Sequence, residues 1–360
     1  METLNEKQKL ALDAMIIGEN VFITGPGGSG KSHVINIFIQ YFREQLLDED
    51  QQLFVTSSTG LSSLLINGIT IHQYSGLGSA SKNLDFYIDR VKKNKNIRNR
   101  WRKTKTLIID EISMISEEFF EKLDLLGQKI RRSQLPFGGI QIILSGDFLQ
   151  LPPVKSTGFC FESFSWDLSI NKTIYFDKII RQKDKNLQKI LNKVRVGMID
   201  DDVKKILDTC LNRKLENKHG IKPTLLFSRK DMVNEYNNEK LQELVELGKE
   251  TKIYQSSFQF GKQVTEESED FLKDLINNQY NIDDHLTLTK GTQVMLNANN
   301  IYEGLANGSR GIIIDFSSDG YPIVHFLNDI IVEIKYKDYK IEDNSDSVTK
   351  KQIPLIHAWA

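Results

Sequence analysis

Two hydrophobic periods share the chain. Short continuous apolar runs, the pattern of strands buried on both faces, occur at Val21-Phe22-Ile23-Thr24, at Gln52 to Ser57, at Thr106 to Asp110 and at Ile140 to Leu144. Between them the spacing changes to that of helices. Leu4, Leu10 and Leu12, with Ala14 and Met15 beyond, predict a first helix, and Val34 to Ile39 predict a second directly behind residues 25–32. Ser116 opens another, with Glu117 and Glu118 in its first turn and Lys129, Arg131 and Arg132 in its last, the charge order that the helix dipole favours. This alternation predicts an α/β protein.

The second half reads differently. Residues 245–290 hold few apolar repeats and predict a variable connection with some helix around Glu267 to Leu275. From Gly311 to Ile341, short β-branched runs separated by turns predict a small β-barrel. Residues 343–351 read as polar loop.

Composition narrows the classes only a little. At 360 residues the chain has room for two or three domains. Lys plus Arg (47) nearly balances Asp plus Glu (48), so net charge argues neither for nor against a nucleic-acid partner, and any basic surface must be local. One such stretch exists. Within residues 79–105, Arg90, Lys92, Lys93, Lys95, Arg98, Arg100, Arg102, Lys103 and Lys105 follow one another with no acid after Asp89. Two readings stand, a solvated helix face and a nucleic-acid contact in which Trp101 is the one aromatic among the basic residues. Cys160 and Cys210 show no CxxC spacing, which argues against a metal knuckle and fits a reducing, intracellular compartment, with both as core residues. Residues 1–10 have neither a signal core nor an arginine-rich presequence, and no apolar run approaches bilayer length, so the expectation is a soluble protein without a membrane partner.

Candidate chemistry concentrates at the ends of the apolar runs. Gly25-Pro26-Gly27-Gly28-Ser29-Gly30-Lys31-Ser32 stands between a predicted strand and a predicted helix, the context a phosphate-binding loop requires. Its glycines let backbone N–H groups turn toward phosphate oxygens, and the helix start adds partial positive charge. Lys31 then reaches the β- and γ-phosphates of ATP, and the Ser32 hydroxyl holds Mg2+. Asp110 and Glu111 end the run that begins at Thr106. Asp110 suits the metal from the side opposite Ser32, and Glu111 suits the activation of the attacking water. Gln150 lies on the loop after the run ending at Leu144, where it can donate to a γ-phosphate and report its loss. Gln8 carries a donor and an acceptor, as reading an adenine edge requires, and is equally a polar position on a helix surface. Thr59, Thr70 and His72 lie after a strand in a segment rich in small hydroxyl residues, which suits sugar-phosphate contact or an ordinary capped helix start.

The strings GPGGSGKS, VTSSTGLSSLLINGITIHQYSGLG, LIIDEISMIS and LSGDFLQLPPV together resemble the petite integration frequency (PIF-type) DNA helicases of superfamily 1B. The resemblance implies two RecA-like parallel-sheet domains. The first is expected over 1–165 with a small insertion at about 75–105, the second over 166–360 with an inserted region at about 245–345 that includes a Src-homology-3-like barrel. It implies that Gln8 recognises adenine, that Thr59, Thr70 and His72 contact the strand, and that Gln150 is coupled to the γ-phosphate. Tyr175 to Gln182 is similar to the family's fourth motif, which implies that Arg181 meets the γ-phosphate from across the cleft between the domains. Pro223 to Arg229 resembles the first strand of the second RecA-like domain.

The implied activity is a 5′-to-3′ DNA helicase, ATP-dependent and monomeric, acting on single-stranded DNA and forks in repair, recombination, replication or telomere maintenance. The family's T-x-H-K-x-Q-G and A-L-S-R motifs do not occur after Trp359. The expectation is therefore a second sheet lacking its last elements and little ATP turnover from these 360 residues. A RecD-like or relaxase-associated motor is the alternative enzyme, and an ATP- and DNA-binding fragment without turnover the alternative of another class.

Overall fold

The computed structural model describes residues 4–45, 52–78, 80, 82–154, 158–211, 213, 217–261, 264, 266–298, 304–343 and 346–360. The chain divides into two units, Met1–Leu211 and Asn212–Ala360. In the first, the elements are α1 (Glu6–Ile16), β1 (Val21–Thr24), α2 (Lys31–Gln45), β2 (Gln52–Ser57), α3 (Gly60–Leu65), β3 (Ile69–Thr70), α4 (Ile71–Ser75), α5 (Leu84–Lys93), α6 (Lys95–Lys103), β4 (Thr104–Asp110), α7 (Glu117–Arg131), β5 (Gln141–Gly146), α8 (Phe164–Ser169), β6 (Lys172–Tyr175), α9 (Lys185–Arg195) and α10 (Asp201–Cys210).

The six strands form one parallel sheet in the order β3-β2-β4-β5-β1-β6. Successive side chains on a strand face opposite sides, and here both sides are covered. Phe22, Leu107, Ile109, Ile142 and Leu144 pack on one face with Tyr74, Trp101 and Phe120. Val21, Ile23, Ile108 and Ile143 pack on the other with Ala11, Ile35 and Phe38. That two-sided burial is why the strands read as unbroken apolar runs. The helix expected from Ser116 forms as α7, with the Ser116 hydroxyl accepting from Phe119 N–H at 3.3 Å.

The first unit extends past the boundary expected at 165/166. β6 lies beside β1, with Tyr175 opposite Thr24, and its backbone hydrogen bonds carry residues 166–211 into the first unit. The basic stretch is also partly structural. Trp101 is fully buried, its indole N–H donating to Ser75 O at 3.1 Å, so it supports the core and offers no stacking face. Arg100 donates to the carbonyls of Gln73 (2.8 Å) and Tyr74 (3.2 Å). Arg90, Lys92, Lys93, Lys95, Arg102 and Lys105 remain exposed.

The second unit contains α11 (Lys230–Glu246), β7 (Thr251–Gln255), β8 (Ser257–Phe260), α12 (Glu266–Tyr280), β9 (His285–Thr289), β10 (Gln293–Leu296), β11 (Arg310–Phe316), β12 (Pro322–Phe326), β13 (Ile331–Glu333), β14 (Lys337–Asp343), β15 (Asp346–Gln352) and β16 (Leu355–His357). Where a small barrel was expected, β13-β12-β11-β10-β16 form an antiparallel sheet with β13 and β16 at its edges, and β14-β15-β8 and β7-β9 form two smaller antiparallel sheets. The residues expected as polar loop around 343–351 supply most of β15. No parallel sheet forms among the described residues of this unit. Residues 223–227 are not a strand: Thr224 Oγ1 donates to Ala358 O (2.9 Å) and Leu225 N–H to Trp359 O (2.9 Å), too few bonds for a ladder. The chain is thus an α/β fold with a six-stranded parallel sheet and additional antiparallel sheets.

Trp101→Ala should cost about 3–5 kcal/mol of stability, the usual loss for a large buried aromatic. Denaturant unfolding measures it, and a loss below about 1 kcal/mol would contradict the assignment of Trp101 to the core.

Candidate functional site

The carboxyl ends of β1, β4 and β5 are side by side, so whatever follows each strand faces the same edge of the sheet. After β1 comes the loop 25–30, after β4 Glu111, and after β5 Asp147 to Gln150. A cavity of 760 Å³ opens there, lined by Gln8, Gly27, Gly28, Ser29, Gly30, Lys31, Ser32, His33, Asp110, Glu111, Gln150, Ile180 and Arg181. Its size suits a nucleotide.

The loop has little room for side chains. Gly30 has φ +89, and a Cβ there would sit 2.5 Å from Gln8 Nε2. Gly28 has φ +77, and its Cβ would meet Arg181 Cβ at 2.9 Å. The Lys31 ammonium donates to Gly25 O (2.7 Å) and Pro26 O (3.2 Å), so it is held over the loop; burial lowers its pKa, while Asp147, Glu111 and Asp110 act in the opposite direction. Ser32 Oγ donates to Asp110 Oδ2 at 3.4 Å, placing two hard oxygen donors together, as Mg2+ requires. Asp110 Oδ1 accepts from Glu111 N–H at 3.0 Å. Glu111 has φ +53, a left-handed conformation rare outside glycine, Asn and Asp, and its carboxyl pKa is raised by burial and then by Asp110.

Gln8 is 2 % exposed and has two structural tasks. Its Oε1 accepts from Asn5 N–H (3.0 Å) in the capping box of α1, and its Nε2 donates to Ser29 O (3.5 Å). Gln150 donates through Nε2 to Asp147 Oδ2 (3.2 Å), and a Cβ on Gly27 would lie 3.7 Å from the same nitrogen. Arg181 was expected across a cleft between domains. It belongs instead to the same unit as the loop, because Phe176 N–H continues the β6 pairing onto Thr24 O (2.7 Å) and the N–H groups of Ile180 (2.8 Å) and Arg181 (3.0 Å) both donate to Gly28 O.

Thr59, Thr70 and His72 do not line the cavity. Thr59 Oγ1 accepts from Ser62 N–H (3.2 Å) at the start of α3, and Thr70 caps α4 by accepting from Gln73 N–H (3.2 Å). The His72 ring packs on Phe119 with centroids 4.5 Å apart, and burial lowers its pKa.

No role for Asp147 or Arg195 follows from sequence spacing. Asp147 is 1 % exposed and accepts from Arg195 Nε (2.7 Å) and Nη2 (2.6 Å). Forty-eight positions separate the two residues, and no spacing rule joins them. Burial would raise the Asp147 pKa, but the bonds from Arg195, Leu149 N–H and Gln150 outweigh it and hold the carboxyl below its ordinary range.

Among the described residues one other cluster has metal-ligand types, His219, His325 and Asp329 in the second unit. Asp329 is already engaged by Lys218 (2.7 Å) and His219 (2.7 Å), and the two imidazole centroids lie 3.8 Å apart with the rings tilted by 35°, an arrangement that fastens a turn. No described helix is long and apolar enough to cross a membrane.

A glycine-rich loop between strand and helix at the carboxyl edge of a parallel sheet, with paired acids on a neighbouring strand, defines a P-loop α/β protein. Residues 3–209 match the family model described as "PIF1-like helicase", and the chain belongs to that family. It is 38% identical over 351 residues to "Uncharacterized protein 030L" of Invertebrate iridescent virus 6, covering 90% of this chain and 66% of that protein. It is 36% identical over 365 residues to "ATP-dependent DNA helicase PIF1" of Xenopus laevis, covering 99% and 54%. The crystal structure of Pif1 helicase from Candida albicans superposes with TM-score 0.80 at 32% identity, over 100% of this chain and 85% of that one. The chain thus spans between about half and two thirds of the length of these two sequence relatives.

Asp147→Asn should cost about 3 kcal/mol at neutral pH by leaving the Arg195 fork without its anion. A carboxyl whose folded pKa is depressed contributes stability above its unfolded pKa and loses it as pH falls through the folded one. The gap between parent and variant should therefore close in acid. Urea unfolding across pH measures it, and a gap that does not shrink would refute the assignment.

Proposed function

We propose that this chain binds ATP with Mg2+ in the cavity at the P-loop and belongs to an ATP-dependent DNA helicase that moves 5′-to-3′ along single-stranded DNA. The observation that carries the reading is the convergence of Lys31, Ser32, Asp110, Glu111, Gln150 and Arg181 on one cavity in a PIF1-like chain. The relative from Xenopus laevis is named as an ATP-dependent DNA helicase.

The residues divide the work by their chemistry. Backbone N–H groups of Gly27 to Lys31 and the start of α2 suit the phosphates, and Lys31, once it leaves the carbonyls of Gly25 and Pro26, suits the β- and γ-oxygens. Ser32 and Asp110 would hold Mg2+, which neutralises charge on the phosphates. Glu111, whose raised pKa makes it a stronger base than an ordinary carboxylate, would orient the attacking water and take its proton. Gln150 and Arg181 would stabilise charge at the γ-phosphate, and Gln8 would read the adenine edge. The direction of movement and the assignment of Thr59, Thr70 and His72 to strand contact rest on the family motif. Exposed basic residues of α5 and α6 supply a local cationic surface suited to phosphates. Action as a monomer on single strands and forks likewise rests on the family motifs.

Titration with ATP and Mg2+ tests the site. Lys31→Ala should weaken binding at least about tenfold, the loss of one charge-assisted contact, while Glu111→Gln should bind as the parent does and abolish any hydrolysis. Parent-rate turnover by Glu111→Gln would remove the general-base assignment.

Binding to DNA should be backbone-directed. Affinity for two unrelated single-stranded oligonucleotides should be similar and should fall steeply between low and moderate salt, as counterion release requires. A salt-insensitive or strongly sequence-selective result would overturn the DNA reading.

A further inference from the structure

α9 is fastened at each end to a segment that faces the cavity. In its first turns, Gln188 Nε2 donates to Ile179 O (3.3 Å) and to Gln182 O, bracketing the residues that rest on Gly28 O and include Arg181. At its last residue, Arg195 grips both oxygens of Asp147. Two turns of helix, about 10 Å, separate Gln188 from Arg195.

Asp147 is the hinge of the arrangement. Its Oδ2 accepts from Arg195 Nε and from Gln150 Nε2 together, and its Oδ1 accepts from Arg195 Nη2 and Leu149 N–H (3.2 Å). A guanidinium fork fixes the plane of the carboxylate it binds. The direction in which Gln150 is held therefore depends on Arg195. Tyr175 supports the fork from the end of β6: its hydroxyl accepts from Arg195 Nη1 at 3.5 Å, and its ring centroid lies 6.0 Å from the guanidinium carbon.

We propose that Arg195 is a positioning residue for recognition of the γ-phosphate, and that α9 is the strut through which Gln150 and the segment carrying Arg181 are held in one fixed relation. The proposal rests on the reading of the cavity as an ATP site. It concerns a regulatory geometry that the P-loop and the paired acids do not supply. A terminal phosphate would accept the second Nε2 proton of Gln150 while the first stays on Asp147, which the Arg195 fork keeps in place.

The test compares affinities of the 360-residue chain for fluorescent ATP and ADP analogues with Mg2+, because their ratio isolates the γ-phosphate. The parent should prefer ATP, Gln150→Ala should lose about tenfold of that preference, and Arg195→Gln should lose a similar amount with ADP affinity unchanged. Gln150→Ala/Arg195→Gln should lose no more than either alone, since both act through one contact. Arg195→Lys, which keeps the charge without the fork, should recover only part. If Arg195→Gln unfolds because Asp147 is left unpaired, Asp147→Asn/Arg195→Gln removes that charge and should show the same loss of preference. A parent-like ratio in Arg195→Gln, or in the double variant, overturns the positioning role and leaves the ATP site standing. Equal parent affinity for ATP and ADP also overturns it, and failure of the parent to bind either nucleotide removes the ATP site and the inference together.

Discussion

The pairing of β1 between β5 and β6 is the constraint on which the site depends. β5 on one side brings the Asp147–Gln150 loop beside the P-loop, and β6 on the other delivers residues 176–181 onto Gly28. The acids of β4 stand one strand further out. Because parallel strands end at the same edge, residues more than a hundred positions apart meet there. Glycine at 28 and 30 is then a consequence of the crowding, since Arg181 and Gln8 occupy the space where side chains would go.

Electrostatics follows from that crowding. Lys31, Asp110, Glu111 and Asp147 share a small partly buried volume, and burial pushes Lys31 and Glu111 toward their neutral forms. Asp147 escapes the same fate because four donors, from Arg195, Leu149 and Gln150, converge on its two oxygens. Two carboxylates near one another thus have opposite tendencies, Glu111 raised and Asp147 depressed. That is the usual sign that one is available for proton transfer and the other serves as a fixed anion.

Local polar residues have a second use in the structure. Gln8, Thr59 and Thr70 each satisfy backbone groups at helix starts, and Arg100 and Trp101 bind carbonyls of the segment around α4. A residue type suited to ligand contact is equally suited to capping, because both need the same donor and acceptor atoms. Trp101 shows how far this reaches: a tryptophan inside a run of arginines and lysines is the centre of a hydrophobic cluster.

Contiguous stretches of sequence determined the strands β1, β2, β4 and β5, the start of α7, the P-loop and the paired acids. Each depends on side chains within a few positions of one another, where periodicity, capping and turn chemistry are local. The motif strings also determined family membership. Tertiary structure alone decided that β6 joins the first sheet, that Arg181 lies in the same unit as the P-loop, and that Gly311 to Ile341 is divided between two antiparallel sheets. It also decided that Asp147 binds Arg195. These outcomes turn on which strand edge is free to pair and which buried charge needs a partner, and both are settled by residues far apart in the chain.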